Sequence, residues 1–332
     1  MKLQFVEKNI SDFYIYKNKP VFIKSGTAYY NGLIFKADDN EEFFVDNNVF
    51  IKYGNHLNFR FVDNSFIVID KFYDHINFFT ETSWLEYRNK NSFYSRYVEN
   101  SKFTDITITE SPHFECRWLH NGVLVFNNPF TGNQILFYST TGERLWEYKT
   151  ENSDWKINRM CIPMVDDVVV IINSYNLMTV SIEGYNIQTG KKLWVLKDDK
   201  HTDIFPCHFN VGDDKMLYAC KSHWKNTDRN SKNIELTSIN PHNGEFNRHI
   251  LKEVDQHTVI SPWNTCIYGN KLYYADNHPG CVLGVVDLDK KQIVEEFSLN
   301  LKKGFRMGAP AVTEDKIYQF IRNKKEVWVF EK

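Results

Sequence analysis

The sequence predicts an all-β fold of repeated antiparallel sheets, and three observations carry this prediction. Hydrophobic residues make up 42% of the 332-residue chain and aromatic residues 16%, which favours strands because aromatic side chains suit a half-buried pleated surface. Short runs of alternating hydrophobicity are separated by turn residues, as in hairpins. One strand–turn–strand stretch recurs along the chain at intervals of roughly 50 residues.

The clearest copy of this repeat runs from Tyr185 to Lys197, with the sequence YNIQTGKKLWVLK. It predicts a strand, a two-residue turn at Thr189-Gly190 and a second strand that carries a tryptophan. An upstream copy, FYSTTGERLWEYK, ends at Lys149, and two downstream copies have Gly244 and Lys291 at the turn. Four copies in succession indicate a structural repeat.

A short and almost wholly apolar run precedes each copy, for example Val168 to Ile172 and Leu272 to Ala275. Continuous apolar runs suit inner strands that are buried on both faces, while alternating runs suit outer strands. The repeating unit is therefore a four-stranded antiparallel sheet of about 40 to 50 residues, which is the size of a propeller blade. We expect a single closed β-propeller domain over residues 1–332.

The number of blades follows from the predicted ends of the third strands, which are Asp46, Glu86, Tyr138, Asn186, Asn240 and Asp287. The stretch that begins at Gly308 adds three strands of a seventh blade. A strand from the N-terminus, either Leu3 to Val6 or Phe13 to Tyr16, is expected to complete this last blade and cover its edge. We expect seven blades, with six or eight as alternatives because the first copies lack the Gly and the Trp.

The stretch from Gly184 to Lys197 resembles the repeat of the quinoprotein-like, or PQQ-type, β-propellers. In that family a small residue, an Asp, a Thr-Gly turn and a Trp recur in each blade, and the Trp packs between blades. The resemblance implies this role for Trp194 and Trp146, while Arg248 and Glu295 take the Trp position in the later copies. Quinoprotein dehydrogenases carry adjacent cysteines at the quinone site, which this sequence lacks, so we expect no cofactor.

Charge and composition restrict the classes of partner. Net charge is −2, from 40 Lys and Arg against 42 Asp and Glu, without the basic run that would neutralise phosphates, so nucleic acid is not expected. No stretch approaches the roughly 18 apolar residues of a membrane span, and the N-terminus has no apolar signal region. Six cysteines are too few for a disulfide framework. These features predict a cytoplasmic monomer with reduced thiols and no membrane partner.

Two sets of residues have the side-chain types of metal ligands. The possible zinc ligands are Cys207, His208, Cys220 and His223. Their spacing matches no zinc motif, so interior cysteines beside loop histidines are the favoured interpretation. The cysteines ahead of the second strands, Cys116, Cys161, Cys207 and Cys266, would form a thiolate ring if all faced a central channel. Their offsets differ by a residue or two, which favours packing instead, and no metal is expected.

The candidate binding face consists of the loops between second and third strands and of the connections between blades. The residues predicted there are Trp155, His201, Phe205, His223, Trp224, Arg229, Trp263, His278, Phe305 and Arg306. Trp and Arg are enriched at the energetic hot spots of protein interfaces. Scattered exposed aromatics are also normal in a chain so rich in them.

The sequence contains no G-x-S-x-G, H-E-x-x-H, phosphate-loop or C-x-x-C motif, so no motif points to an enzyme active site. The functional hypotheses therefore depend on the loops of the candidate binding face. The leading hypothesis is a non-catalytic cytoplasmic binding protein that presents one loop face to a protein partner, for example an inhibitor or immunity protein for a toxin. The alternative is an enzyme or small-ligand binder that uses the central channel, with metal-assisted hydrolysis as one route. A structural scaffold within a larger assembly is a third hypothesis.

Overall fold

The computed structural model describes residues 1–39, 41–46, 49–54, 57–70, 76–80, 83–89, 92–97, 103–104, 114–119, 122–127, 132–139, 143–158, 161–176, 178–198, 204–225, 230–277, 280–301 and 307–332. The side chains of residues 46, 57–60, 67–119 and 127 lie outside this description. The described elements are strands, apart from one short 3-10 helix at Arg322–Lys324. Within the described ranges, no helix has the length and apolar character needed to cross a membrane.

The described strands form eight antiparallel sheets, in which strands that are consecutive in sequence are mostly neighbours. The chain divides into two compact units. The N-terminal unit contains residues 10–155 and 188–190, and the C-terminal unit contains residues 1–9, 156–187 and 191–332. The first strand, β1 (Lys2–Lys8), therefore belongs to the C-terminal unit.

The N-terminal unit contains sheets 1 to 4. Sheet 1 consists of β2 (Asp12–Tyr16), β3 (Lys19–Lys24), β4 (Thr27–Tyr30) and β5 (Leu33–Lys36). Sheet 2 consists of β6 (Glu41–Asp46), β7 (Val49–Gly54), β8 (Leu57–Val62) and β9 (Ser65–Asp70). Sheet 3 consists of β10 (Ile76–Thr80), β11 (Ser83–Asn89), β12 (Ser92–Tyr97) and β13 (Phe103–Thr104). Sheet 4 consists of β14 (Phe114–Leu119), β15 (Gly122–Asn127), β16 (Gln134–Ser139) and β17 (Arg144–Lys149).

The C-terminal unit contains sheets 5 to 8. Sheet 5 consists of β18 (Lys156–Ile157), β19 (Met164–Val165), β20 (Val168–Tyr175), β21 (Met178–Asn186) and β22 (Lys192–Lys197), with β18 and β19 both paired to β20. Sheet 6 consists of β23 (Asn210–Val211), β24 (Leu217–Trp224), β25 (Ser231–Ile239) and β26 (Phe246–Asp255). Sheet 7 consists of β27 (Ile260–Tyr268), β28 (Lys271–Asp276), β29 (Gly280–Asp287) and β30 (Gln292–Leu301). Sheet 8 consists of β31 (Ala311–Val312), β32 (Lys316–Ile321), β33 (Glu326–Glu331) and β1.

The N-terminal strand β1 completes the last sheet. It pairs antiparallel with β33, with Leu3 opposite Phe330 and Lys8 opposite Glu326. Of the two predicted closing strands, Leu3 to Val6 is therefore the one in sheet 8, and Phe13 to Tyr16 lies in β2. The pairing covers an edge that would otherwise expose unpaired backbone groups. Closure of all the sheets into one ring, and a single domain, stay predictions.

The structure corrects the assignment of strands within the N-terminal repeats. Asn186 and Asp287 end the third strands β21 and β29, as predicted. Asp46, by contrast, ends β6, the first strand of sheet 2, and Glu86 lies in β11, the second strand of sheet 3. Sheet 1 has no counterpart among the predicted copies, so the described residues form eight sheets, whereas seven blades were expected with six or eight as alternatives. Every hairpin of a meander has the same strand–turn–strand pattern, and these copies lack the Gly and Trp that mark the hairpin between the third and fourth strands.

The turn at Gly190 is longer than the predicted two residues. The backbone N–H of Asn186 donates to the carbonyl O of Lys191 at 2.9 Å, so the connection spans residues 187–190. Gly190 has a φ of 64°, and Gly244 has a φ of 74° at the corresponding turn of sheet 6. Glycine adopts this left-handed conformation without the steric cost of a Cβ, which explains its place in the repeat.

Both repeat tryptophans pack as the family resemblance implies. A Cβ built on Gly244 of sheet 6 would lie 2.7 Å from Cδ2 of Trp194, so the indole of sheet 5 occupies that space. Trp194 Nε1 also donates to the carbonyl O of Pro241 at 2.6 Å. In the N-terminal unit, a Cβ on Gly190 would lie 2.5 Å from Cγ of Trp146. Each glycine therefore provides both the turn and the surface against which an indole packs.

Arg248 does not occupy the tryptophan position in space, although it is equally far from its turn glycine. In β22 the register shifts by one residue before Trp194 pairs with Gly184. In β26 the register does not shift at this point, and Arg248 pairs with Thr237. Because a one-residue offset turns a side chain to the opposite face, Arg248 points back into its own sheet and binds Glu235.

The core of the C-terminal unit lies between successive sheets. Val170 and Ala219 belong to one apolar cluster between sheets 5 and 6. Cys220 and Tyr274 belong to another between sheets 6 and 7. Because side chains alternate along a strand, β24 contributes one face to each cluster.

The described core of the N-terminal unit is largely aromatic. Tyr16 lies 5.3 Å from Tyr30 and 5.9 Å from Phe50, and Phe50 lies 5.5 Å from Phe61, measured between ring centroids. Tilted and edge-on contacts at such separations are favourable for aromatic rings. This cluster joins sheets 1 and 2.

Candidate functional site

Each sheet of the C-terminal unit has a loop end, which we define as the end where its second strand stops and the connection to the next sheet begins. Antiparallel pairing places the end of the second strand, the start of the third and the end of the fourth at this same end. In sheet 6 these positions are Trp224, Ser231 and Asp255. In sheet 7 the second strand ends at Asp276 and the third begins at Gly280.

Only some of the predicted binding-face residues belong to the part of the chain that the structure describes. His201, Arg229, His278, Phe305 and Arg306 lie outside the described residues. For these five the assignment to a binding face stays a prediction.

Trp155 and Phe205 differ in how accessible their side chains are to a partner. Trp155 belongs to the N-terminal unit and is half-buried, and its backbone N–H donates to the carbonyl O of Asn152 at 3.1 Å. Phe205 is only 4% exposed and packs edge-on to Phe246 at 5.2 Å in the core between sheets 5 and 6. Phe205 is therefore a core residue, and a partner would not contact it without unfolding this connection.

Trp263 is an exposed aromatic residue at the loop end. Its side chain is 38% exposed, and its ring packs against the His208 ring in a tilted arrangement, with centroids 4.4 Å apart and planes at 32°. His208 precedes β23 and Trp263 lies in β27, so the ring contact joins the segment before the first strand of sheet 6 to the first strand of sheet 7. The contact limits the orientations that the indole can adopt at the surface.

Trp224 ends β24 and lies beside a lysine. The ammonium of Lys232 is 4.4 Å from its ring centroid, within the range of a cation–π interaction. Lys232 Nζ also donates to the carbonyl O of Thr258 at 2.8 Å. Burial lowers the pKa of Lys232, and the carboxylates of Asp276 and Asp255 partly oppose this shift. The sequence pattern indicated Trp224 and missed Lys232, which only the hairpin register, Trp224 opposite Lys232, brings to it.

The connection between sheets 6 and 7 is tied to both of them. Ser222 Oγ of sheet 6 donates to the carbonyl O of Thr258 at 3.2 Å and accepts the N–H of Ile260 at 3.1 Å. Asp276 Oδ1 of sheet 7 accepts the N–H of Val259 at 2.9 Å. His223, the neighbour of Ser222, points to the opposite face of β24, where its Nδ1 lies 4.0 Å from Glu235 Oε1.

A cleft of about 490 Å³ opens between sheets 6 and 7 beside this connection. We call it the intersheet cleft. Ile234, Ile260 and Tyr274 form its apolar floor, and all three are buried. Its volume lies within the range of about 300 to 1,000 Å³ that is typical of ligand pockets.

The rim of the intersheet cleft is acidic, with carboxylates from both sheets. Sheet 6 contributes Glu253 and Asp255, and sheet 7 contributes Asp276 and Glu296. Lys252 is the one ammonium among the described residues that line the cleft.

Two ion pairs involve this rim. Lys252 Nζ of β26 lies 2.6 Å from Glu296 Oε2 of β30, so this pair crosses from one sheet to the other. The hydroxyl of Tyr274 donates to the other oxygen, Oε1, at 2.8 Å, and burial followed by the Glu296 charge raises the pKa of Tyr274. Lys225 Nζ lies 2.7 Å from Glu253 Oε2 and lowers the pKa of that carboxyl group.

The structure separates the residues with metal-ligand side chains. Cys220 and His223 point to opposite faces of β24 because they are an odd number of residues apart. Burial raises the pKa of Cys220 and so favours the thiol over the thiolate that binds metals. Cys207 is half-buried, and its carbonyl O accepts Asn158 Nδ2 at 2.5 Å. Within the described part of the chain, no group of three or more His, Cys, Asp or Glu residues is placed to hold a metal ion.

Of the cysteines ahead of the second strands, Cys161 and Cys266 pack in the interior, whereas Cys207 is half-buried. Cys161 is buried between sheets 5 and 6, and its Sγ accepts the N–H of Phe209 at 3.2 Å. Cys266 packs against the core between sheets 7 and 8. The side chain of Cys116 lies outside the described residues. Cys161 and Cys266 therefore serve as small core residues.

No protein-family model and no curated protein sequence matches the chain. Solved structures do resemble it. BamB from Moraxella catarrhalis, a PQQ-like β-propeller, superposes with a TM-score of 0.58 and 12% identity over 99% of each chain. Sqt1 from Saccharomyces cerevisiae, a WD40 propeller, has a TM-score of 0.54 and 9% identity over 100% of this chain and 99% of its own.

A second WD40 propeller, Hsv2 from Kluyveromyces lactis, has a TM-score of 0.53 and 12% identity over 98% of this chain and 93% of its own. At such low identities these likenesses concern the fold alone. Together with the repeated four-stranded antiparallel sheets, they show that the chain resembles β-propellers in fold.

Proposed function

We propose that the chain is a non-catalytic binding protein that presents the loop end of its sheets to a protein partner. The observation that carries the proposal is the grouping at the loop ends of sheets 6 and 7: exposed Trp263, the Trp224–Lys232 pair and the intersheet cleft. Interface hot spots are enriched in Trp and lie beside pockets that exclude water.

The contacts within this grouping favour binding because they order its side chains in advance. The Trp263 ring packs against the His208 ring, and Lys232 contacts the Trp224 ring and donates to the Thr258 carbonyl. A side chain that is already ordered loses less rotamer entropy when a partner binds. The loop end therefore needs little rearrangement to serve as an interface.

A more specific version of the proposal is an inhibitor or immunity protein that covers the active site of a toxin. In this version the chain acts in the cytoplasm as a monomer, without a cofactor and without nucleic acid or membrane as partner. It rests on the same loop-end grouping and on the sequence-level expectations for charge and apolar runs.

The test is recovery of a partner from lysate with a tagged chain. We expect the wild type to recover a specific protein and the Trp224→Ala/Trp263→Ala variant to lose it. Trp155→Ala, tested separately, shows whether the N-terminal unit also contributes. The matched control is Leu193→Ala, since Leu193 is 42% exposed on the outer strand β22. Equal recovery by the double variant, or no specific protein with the wild type, would count against the proposal.

A further inference from the structure

The intersheet cleft has the shape for a side chain with an apolar stem and a polar end. Its floor is apolar: Ile234 is 2% exposed, Ile260 3% and Tyr274 0%. Long basic side chains bury their methylene groups on such surfaces while the charged end stays at the rim. The floor by itself would accept any apolar group, so the rim decides what binds.

The rim selects for positive charge. Glu253 and Asp255 of sheet 6 and Asp276 and Glu296 of sheet 7 contribute four carboxylates. The ammonium groups are Lys252 in the lining, Lys225 paired with Glu253, and Lys232 close to Asp276 and Asp255. The excess of carboxylates favours a cationic ligand over an anionic one. A metal ion is disfavoured because the described residues offer no cluster of three ligands.

The Lys252–Glu296 pair shows that the cleft already accommodates a cation. The two side chains are 48% and 31% exposed, and exposed ion pairs contribute little net stability. Tyr274 holds the second oxygen of Glu296 by a hydrogen bond, so the carboxylate keeps its orientation if Lys252 leaves. An incoming cation can therefore exchange with Lys252 at low cost.

We propose that the intersheet cleft receives an arginine side chain of the protein partner, which displaces Lys252 from Glu296. This inference rests on the proposed function and names the chemistry of the partner segment. Arginine suits the site better than lysine because its planar guanidinium donates two parallel hydrogen bonds to one carboxylate and is less strongly hydrated. Its stem packs on Ile260 and Tyr274.

The test uses three peptide probes, acetyl-Gly-Ala-Xaa-Ala-Gly-amide with arginine, citrulline or lysine at Xaa. Citrulline has the shape of arginine without its charge. Binding is followed by NMR through the backbone amides of residues 252–255 and 296–298. We expect the arginine probe to bind about tenfold more tightly than the citrulline probe, and more tightly than the lysine probe.

Two variants test the exchange. Glu296→Gln should weaken binding of the arginine probe about tenfold, and Lys252→Met should strengthen it about threefold because the competing ammonium is gone. The matched controls are Asp166→Asn and Lys215→Met, which alter another exposed ion pair between neighbouring sheets, 2.7 Å long and outside the cleft. Both controls should bind the arginine probe like the wild type.

Equal binding of the arginine and citrulline probes, or an unchanged affinity in Glu296→Gln, would overturn the inference. A lysine probe that binds as tightly as the arginine probe would overturn the choice of arginine. These outcomes are separate from those of the lysate experiment, which depends on Trp224 and Trp263. Loss of the partner in the tryptophan variant together with equal probe binding would leave the proposed function standing and remove this inference alone.

Discussion

The indole of Trp194 occupies the space into which a side chain at Gly244 would project. A Cβ on Gly244 would lie 2.7 Å from Trp194 Cδ2, and the same glycine has a φ of 74°. One position thus meets two requirements, a left-handed turn in sheet 6 and a flat surface for the tryptophan of sheet 5. The contact therefore packs the fourth strand of sheet 5 against the turn between the third and fourth strands of sheet 6, the next sheet along the chain.

Gly244→Ala should lower the free energy of unfolding by about 2 kcal/mol or more, because it adds a steric clash to the cost of left-handed φ. The matched control is Gly269→Ala. Gly269 has a φ of 60°, and a Cβ at this position would have no atom within 4 Å. Gly269→Ala should therefore lower the free energy of unfolding by only about 1 kcal/mol, the cost of the left-handed conformation. Urea denaturation measures both variants, and equal losses would show that the Trp194 contact is unimportant.

Arg248→Met should lower the free energy of unfolding by about 2 kcal/mol, because Glu235 is 3% exposed and would lose two charge-assisted hydrogen bonds, 2.8 and 2.7 Å long. The value is reduced from that of a fully buried pair since the Arg248 side chain is 34% exposed. Arg144→Met, at an exposed pair with Glu147, should change stability by less than about 1 kcal/mol. Similar effects of the two variants in thermal unfolding would contradict the prediction.

Glu183→Leu should lower the free energy of unfolding by about 3 kcal/mol. Glu183 has no exposed surface, and its carboxylate accepts the Tyr185 hydroxyl at 2.7 Å and Asn173 Nδ2 at 3.0 Å while pairing with Lys192 at 2.7 Å. Leucine fills the volume and leaves these donors without that acceptor. Glu143→Leu, at an exposed turn position, is the control for the change in side-chain type. A loss in Glu183→Leu no larger than in Glu143→Leu, measured by urea denaturation, would argue against a stabilising network.

Tyr273→Phe should reduce the pH dependence of stability between about pH 10 and 12. Burial raises the pKa of Tyr273 from 10.0 to about 12, so above pH 10 the unfolded chain loses a proton that the folded chain keeps. Stability is fully present below pH 10 and falls by about 1.4 kcal/mol per pH unit up to pH 12. Urea denaturation at pH 9.5, 10.5 and 11.5 should show a shallower fall for the variant. Parallel curves would contradict the assignment to Tyr273.

Much of the architecture could be predicted because it depends on local chemistry. Gly190 and Gly244 mark turns that need a left-handed residue, and Trp194 marks the strand that follows. Where these markers are missing, the predicted position of the strand within its sheet was wrong: Asp46 and Glu86 were assigned to third strands, but Asp46 belongs to a first strand and Glu86 to a second. The hydrophobic alternation of one hairpin cannot distinguish it from the next in the same sheet.

The candidate site was less predictable. Trp224 ends strand β24 and Trp263 lies in strand β27 with its side chain exposed, whereas Phe205, of the same aromatic class, is buried in the core. No local pattern separates these cases, because burial depends on the neighbouring sheet that covers the side chain. Lys252 and Glu296 were absent from the predicted residues, since their contact joins two sheets.

From the amino-acid sequence alone it follows that the chain is built from short antiparallel strands, that its best copies recur as hairpins, and that a turn glycine and a tryptophan mark the clearest of these copies. These features follow from periodicity and turn chemistry, which act over a few residues. Three features became visible only in the three-dimensional arrangement: Arg248 points back to Glu235, the first of the two predicted N-terminal strands is the one that completes sheet 8, and a cleft with an acidic rim lies between sheets 6 and 7. A register shift of one residue reverses a side chain's face, and contacts between sheets join residues far apart in the chain.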